Sequence, residues 1–374
     1  MRCLRSLLTW ILAVQLTVNT SWGCLWDYDT LQMERARFPG ALELITGKFL
    51  RHSREFYLWR IEDRLRRLEA EPEHLRFLDD LAVAYDKTGQ HAKAIETARR
   101  KEKIKPGGYK TYANLGTFYI HSGQFSEGLK FIKQAIAINS NAHFGREIYQ
   151  QRIVEYVLSK RVEGTLLFPL SSDARTIGGQ PGFAAFLLMD RELNPGQQKT
   201  EIGKAIRGVL GMMRFGQYDS PVLLEALGDL LLADLNEDAK RLAARAYLKA
   251  AYELPGAEPK QAYRRIAQES LKLQTVAAHS TTELQLEQLE SQFQTELSEA
   301  DRWYADLRNN ELGWIEAGVD VDAAFTKKYY AQPSVTPPSG YRRLAMVAAT
   351  LICAISSVTL LARRLRRRRA NKAA

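Results

Sequence analysis

Two consecutive segments of equal length carry the reading: LRFLDDLAVAYDKTGQHAKAIETARRKEKIKPGG, residues 75–108, and YKTYANLGTFYIHSGQFSEGLKFIKQAIAINSNA, residues 109–142. Aligned at a period of 34, Leu81-Ala82 falls on Leu115-Gly116, Tyr85 on Tyr119 and Gly89 on Gly123. The first segment ends in Pro106, the second in Asn139-Ser140 without the proline. Each has apolar positions at helical spacing, a Gly-polar break and a second helix, marked by Ala94 and Ala98 in the first and by Leu129, Ile132, Ala135 and Ile136 in the second. Small residues at Ala82, Gly116, Ala94 and Ala135 let two helices approach closely. Tyr85 and Tyr119 fill the gap to the next helix. One such hairpin cannot bury its apolar face alone, so units must stack.

On these positions the two segments resemble tetratricopeptide repeats, with that family's Leu-Gly/Ala, Tyr, Gly, Ala and Pro marks at the expected offsets. The departures are Ala98 and Ile132, where an aromatic is usual, and Gly128, where alanine is usual. The resemblance implies an all-α helix-turn-helix array, a right-handed superhelical solenoid whose concave groove is lined by the first helix of each unit. By resemblance, the partner-binding groove positions are Arg76, Asp79, Val83, Asp86 and Lys87 in the first unit and Lys110, Ala113, Thr117, Ile120 and His121 in the second. Mixed polar and apolar groups suit an extended peptide or a helix from a protein partner. The competing expectation is that the chain's own helices, 54–68 or 282–310, cover this face.

Outward from the repeats, 143–160 reads as a following helix that caps them. Arg54–Leu68 has Phe56, Leu58, Trp59, Ile61, Leu65 and Leu68 at helical spacing, with Arg64, Arg66 and Arg67 on the other side. A third, TPR-like unit is legible in 221–255: Leu227-Gly228 and Leu231 mark one helix, and Ala243, Tyr247, Ala250 and Pro255 a second. This requires three inserted residues near Asp234–Asp238. Ser171–Gly182 reads as a loop and Phe183–Leu188 as a short helix. Residues 198–214 read as another helix, whose Gly203, Gly208 and Gly211 each cost about 1 kcal/mol against alanine unless a neighbour packs closely. Residues 282–310 carry a long helix with Leu286, Leu289, Phe293, Leu297, Ala300, Tyr304 and Leu307 on one face. That face admits a coiled-coil seam, but packing on the body is favoured. The organisation is thus 24–74 N-terminal helical segment, 75–160 repeats with their capping helix, 161–257 second block, and 258–332 long helical segment.

The ends carry the charge. The chain of 374 residues has 53 Lys+Arg against 43 Asp+Glu, a formal net charge of +10. Residues 24–340 hold 42 basic and 43 acidic residues, a net of −1, which excludes a generally basic nucleic-acid binder. Residues 1–23 read as a cleaved signal peptide, with Arg2 and Arg5 before an apolar run from Leu7 to Val18. An uncleaved anchor and a lipidated Cys24 are the alternatives. Residues 333–343 form a Pro-rich stalk. Residues 344–362 contain no charge and, at ~1.5 Å per residue, reach about 28 Å, close to the ~30 Å of a bilayer core. Seven Lys+Arg follow in 363–374, which places that tail in the cytoplasm and the body outside, single-pass and, by expectation, in a bacterial envelope. Only Cys3, Cys24 and Cys353 occur, so the body has no internal disulfide.

No phosphate-cradling Gly-rich loop, HExxH or CxxC is present. His52, His74, His91, His121, His143 and His279 do not cluster at ligand spacing, and each reads as solvated or packing. In Trp26-Asp27-Tyr28-Asp29-Thr30, Asp27 and Asp29 offer a cation site or the aromatics a docking point for a partner; more simply, Asp29 or Thr30 caps a helix starting at Leu31, with Trp26 tucked into the fold. The expectation is therefore a membrane-anchored interaction or scaffold protein, not an enzyme, with no cofactor and no metal. The alternative is an envelope-processing enzyme whose site lies in 161–220.

Overall fold

Helix pairs of matching length set the architecture. The computed structural model describes residues 27, 38–163, 165–171, 182–189, 191–234, 237–272 and 285–330, the side chains at 143, 144 and 237 excepted. The signal 1–23, Cys24, most of the loop 171–182, the stalk, the apolar segment 344–362 and the basic tail lie outside these residues. Among the described residues no helix is long and apolar enough to cross a membrane.

After α1 (Ala41–Thr46) and α2 (Arg54–Ala70) come the two repeat hairpins: α3 (Leu75–Lys87) with α4 (His91–Ile104), and α5 (Tyr109–His121) with α6 (Phe125–Ile138). Their turns are built alike. Gly89 and Gly123 both sit at φ 80°, a conformation that favours glycine. The amides of Gln90 and Gln124 donate to the carbonyls of Tyr85 and Tyr119, each at 2.8 Å. Gly116 and Gly128 mark the crossing of α5 and α6. A Cβ on Gly128 would lie 3.0 Å from the Gly116 carbonyl oxygen, and one on Gly116 would lie 2.5 Å from Ile132 Cδ1. The departure from alanine at Gly128 is what this close crossing requires.

A short 3₁₀ turn (Ala142–Gly145) leads into α7 (Arg146–Ser159), followed by a two-residue antiparallel pairing of β1 (Arg161–Val162) with β2 (Thr165–Leu166). Then come α8 (Gly182–Leu188), α9 (Pro195–Phe215), α10 (Pro221–Ala233), α11 (Glu237–Glu253), α12 (Ala257–Lys272), α13 (Leu286–Glu316), α14 (Val321–Phe325) and a π-helical turn (Thr326–Tyr330). Among the described residues the fold is an all-α helical array apart from the β1–β2 pairing. Helix α10 packs on α11 and α11 on α12, so 221–255 forms a helix hairpin. The 258–332 segment holds most of α12 together with α13 and α14, and the long helix read at 282–310 runs from Leu286 to Glu316.

The described residues up to Tyr329 belong to one compact unit with two main apolar clusters. One joins α2 to α6 through Ile61, Leu78, Leu81, Leu115, Phe118 and Phe131. The larger gathers α1, α7 to α12 and the start of α13 around Leu227, Leu230, Tyr247 and Phe293. Helix α7 packs on α6 but places Tyr149, Ile153 and Val157 in the larger cluster, so the capping helix bridges the two. Gly208 lies against the Tyr149 ring and Gly211 against Arg146, as close packing of their helix demands. Gly203 has no such neighbour, and its cost stays unexplained. Helix α13 lies on α1, α2, α11 and α12, with Leu286, Leu289, Phe293, Ala300 and Leu307 buried, so the body-packing reading holds.

The reading of α2 needs correction. Leu58 and Leu65 are exposed, whereas Arg60 and Arg64 are buried. Arg64 Nε donates to Asp80 at 2.8 Å, and its Nη atoms reach Asp63 and Asp322. Arg60 holds Asp322 at 2.5 Å and Asp27 at 3.2 Å. Asp27 therefore binds a guanidinium of its own chain. These pairs draw α14 and Asp27 onto α2, and the guanidinium groups carry enough donors to satisfy several carboxylates at once.

Candidate functional site

The first helices of the two repeats place their groove positions at different depths. Arg76 and Lys110 are exposed; Val83, Asp86, Ala113 and Thr117 are buried; Asp79, Lys87, Ile120 and His121 are half-buried. Asp79 is tied into its own hairpin: Lys101 Nζ of α4 donates to its two oxygens at 2.6 and 2.7 Å. Burial pushes the Asp79 carboxyl up to about 6 despite that cation. Ala113 is fully covered and cannot meet a ligand. Thr117 donates to the Ala113 carbonyl at 3.0 Å and accepts from Gln150 Nε2 at 3.1 Å.

What lies opposite this face is the C-terminal end of α9 and the turn after it. Lys87 Nζ donates to the Phe215 carbonyl at 2.9 Å and to the Gly216 carbonyl. Burial lowers the Lys87 ammonium below its ordinary value, while Asp86, Asp27 and Asp219 oppose the shift. Arg146 Nη1 donates to the Gly211 carbonyl at 3.1 Å and lies over the Phe215 ring. Residues 215–217 thus form a ridge with a cavity on each side. The first, about 250 Å³, is lined by Val83 and Lys87 with Arg51, Tyr57, Tyr218 and Tyr304 among others. The second, about 280 Å³, is lined by Thr117, Ile120 and His121 with Ile153, Val154 and Leu223 among others.

Self-coverage of the groove was expected from 54–68 or 282–310. Helix α2 contributes Arg54 and Tyr57 and helix α13 contributes Tyr304 to the first cavity, so both expected segments border it, while the ridge between the two cavities comes from α9 and its turn. The sequence carried no signal for this, because Lys87 and Arg146 recognise backbone carbonyls, which have no side-chain identity.

The histidines also differ from the reading. His52 is buried, stacked on Phe56 at 3.6 Å and 2.6 Å from Glu311, and His74 accepts from the Phe77 amide at 3.3 Å to cap α3; both serve packing. His91 and His121, however, converge on Asp86, with Nδ1 atoms 2.9 and 2.8 Å from its two oxygens. Burial alone would raise Asp86, but the charge of His121 and hydrogen bonds from both rings hold it well below the usual carboxylate range. The Asp86 hydrogen bond raises His91. These three side chains are a group able to hold a metal ion, where the histidine spacing had indicated none.

The architecture and this face together define a helical-repeat protein. A family model described as tetratricopeptide repeat matches residues 109–141, the α5–α6 hairpin. Comparison with curated proteins and with solved structures gives no match.

Proposed function

We propose that this chain is a membrane-anchored interaction or scaffold protein whose body binds a protein partner along the face of α3 and α5. The observation that carries the reading is the pair of cavities flanking residues 215–217, one lined by charged and aromatic groups and one mainly apolar. Two side-chain-sized recesses side by side on the inner helices of a tetratricopeptide-type array suit alternate side chains of an extended segment. The partner is a protein or peptide rather than a nucleic acid, consistent with a body of net charge −1. In this reading the body stands outside the cytoplasmic membrane, held by 344–362, with 363–374 inside and the signal removed near Cys24. In this reading the chain acts by binding rather than by catalysis; among the described residues of 161–220, the Ser171 hydroxyl donates to buried Glu225 at 2.8 Å and Arg191 bonds Glu201 at 2.8 Å, contacts that serve packing.

A photo-crosslinking side chain at Ile120 in intact cells should capture one partner protein, while the same group at Leu65, exposed on α2, should not. Capture at neither position, or equal capture at both, sinks the groove reading. N-terminal sequencing of the purified protein tests the cleavage, and a start upstream of residue 24 contradicts it. Protease protection of the tail but not of the body in sealed cells tests the topology.

A further inference from the structure

We propose that Asp86, His91 and His121 form a binding site for a zinc-class divalent ion at the rim of the second cavity. The donor set is two imidazoles and one carboxylate, a combination found where zinc keeps an open position for water or another ligand. The three come from three helix ends: Asp86 near the end of α3, His91 at the start of α4, and His121 at the end of α5. Their ligand atoms lie within 4.8 Å of one another. Tetrahedral zinc with bonds of about 2.0–2.2 Å sets its donors about 3.4 Å apart, so side-chain rotations that draw the ligand atoms together by up to about 1.4 Å close the site. The anchoring carboxylate is buried at 2 % exposure, while the rings are 30 % and 25 % exposed, which gives the ion a rigid floor and a path from solvent. His121 also lines the cavity beside Thr117 and Ile120, which sets the site next to that cavity.

Without an ion the Nδ1 atoms meet the two Asp86 oxygens, a clasp that pre-orients all three groups. An ion there takes the place of the Nδ1 protons, which pass to Nε2 or to solvent. Bound zinc then joins both repeats at one point. This inference holds whether or not the groove takes a protein partner.

The test uses the full-length chain purified in detergent and stripped of metal with a chelator. Calorimetric titration with zinc should give one ion per chain, with affinity lowered at least about tenfold in H91Q and in H121Q and unchanged in H74Q. No binding by the wild-type chain overturns the proposal. So does an affinity that is the same in wild type, H91Q and H121Q. Should either variant lose its helical circular dichroism, cobalt(II) bound to the wild-type chain decides. Intense visible absorption of a four- or five-coordinate ion supports the site, and the weak absorption of a hexa-aqua-like ion refutes it.

Discussion

In the hairpin of α5 and α6 a glycine on the first helix, Gly116, meets the side chain of Ile132. In the hairpin of α10 and α11 the glycine of the same Leu-Gly pair, Gly228, meets the ring of Tyr247, with a would-be Cβ 2.6 Å from it. The first helix has 13 residues in both. One residue further on the two part company. Thr117 follows Gly116 and bonds within its own helix and to Gln150. Asp229 follows Gly228 and is buried, accepting from Tyr247 OH at 2.6 Å and from the Phe183 amide at 2.7 Å. One turn earlier Glu225, also buried, accepts from the Leu170 and Ser171 amides at 3.0 and 2.7 Å and from Tyr263 OH. The second hairpin therefore pins chain on both sides of residues 172–181. The helix-hairpin geometry is kept while its first helix anchors the chain at Leu170–Ser171 and at Phe183.

The largest effect should come from cutting that anchor. Asp229→Ala leaves the Phe183 amide and the Tyr247 hydroxyl as buried donors, at about 1–3 kcal/mol each, so a loss of roughly 3 kcal/mol or more is expected in chemical denaturation. Hydrogen exchange should quicken first at 183–188. Next comes Gly228→Ala. The Tyr247 ring is fixed at its hydroxyl and cannot retreat, so overpacking should cost about 1–3 kcal/mol. Gly116→Ala presses mainly on the flexible end of Ile132, with the Ile132 backbone nitrogen also close at 3.1 Å, and gains about 1 kcal/mol of helix propensity, so its net loss should be smaller. Equal losses at the two glycines would break the comparison.

Periodicity made the hairpins legible in the sequence, because close helix crossings demand small residues at fixed places and Gly89 and Gly123 mark the turns. The long α13 was legible for the same reason. Charges were misread where their partners lie far along the chain: Arg64 finds Asp322 across 258 residues, so its helix face looked solvated. The ridge at 215–217 follows from α9 packing on α7, a tertiary fact with no local pattern. The Asp86 cluster left a fainter trace. At the 34-residue period Asp86 corresponds to Ile120, and His121 is the next residue, while His91 lies just across the Gly89 turn. Read on the folded repeat rather than along the chain, that spacing brings the three together.

The pH response sharpens the contrast further. Burial pushes the Asp229 carboxyl up to about 8, with the neighbouring Glu225 charge adding to it, and Glu225 is raised by burial too. A raised folded-state value means that the folded protein holds a proton the unfolded chain gives up. The stability that Asp229 contributes is thus fully present below about 3.8 and is lost as pH rises to about 8. The slope from one such group is at most about 1.4 kcal/mol per pH unit. Asp229→Asn should flatten the decline between pH 5 and 8, measured as the denaturation midpoint across buffers; an unchanged profile would mean that another group carries it.

The smallest effect belongs to the position that matches Asp229 in the first hairpin. Thr117→Ala removes one bond to Gln150, worth about 1 kcal/mol, while the Ala113 carbonyl keeps its place in the helix ladder and alanine is the better helix former. The net change should lie within about 0.5 kcal/mol of zero. Because Thr117 lines the second cavity, the same substitution should still alter capture of a partner crosslinked from Ile120. A stability loss as large as that of Asp229→Ala would show that the repeat, too, depends on a polar anchor at this position, and the distinction between the two hairpins would fail.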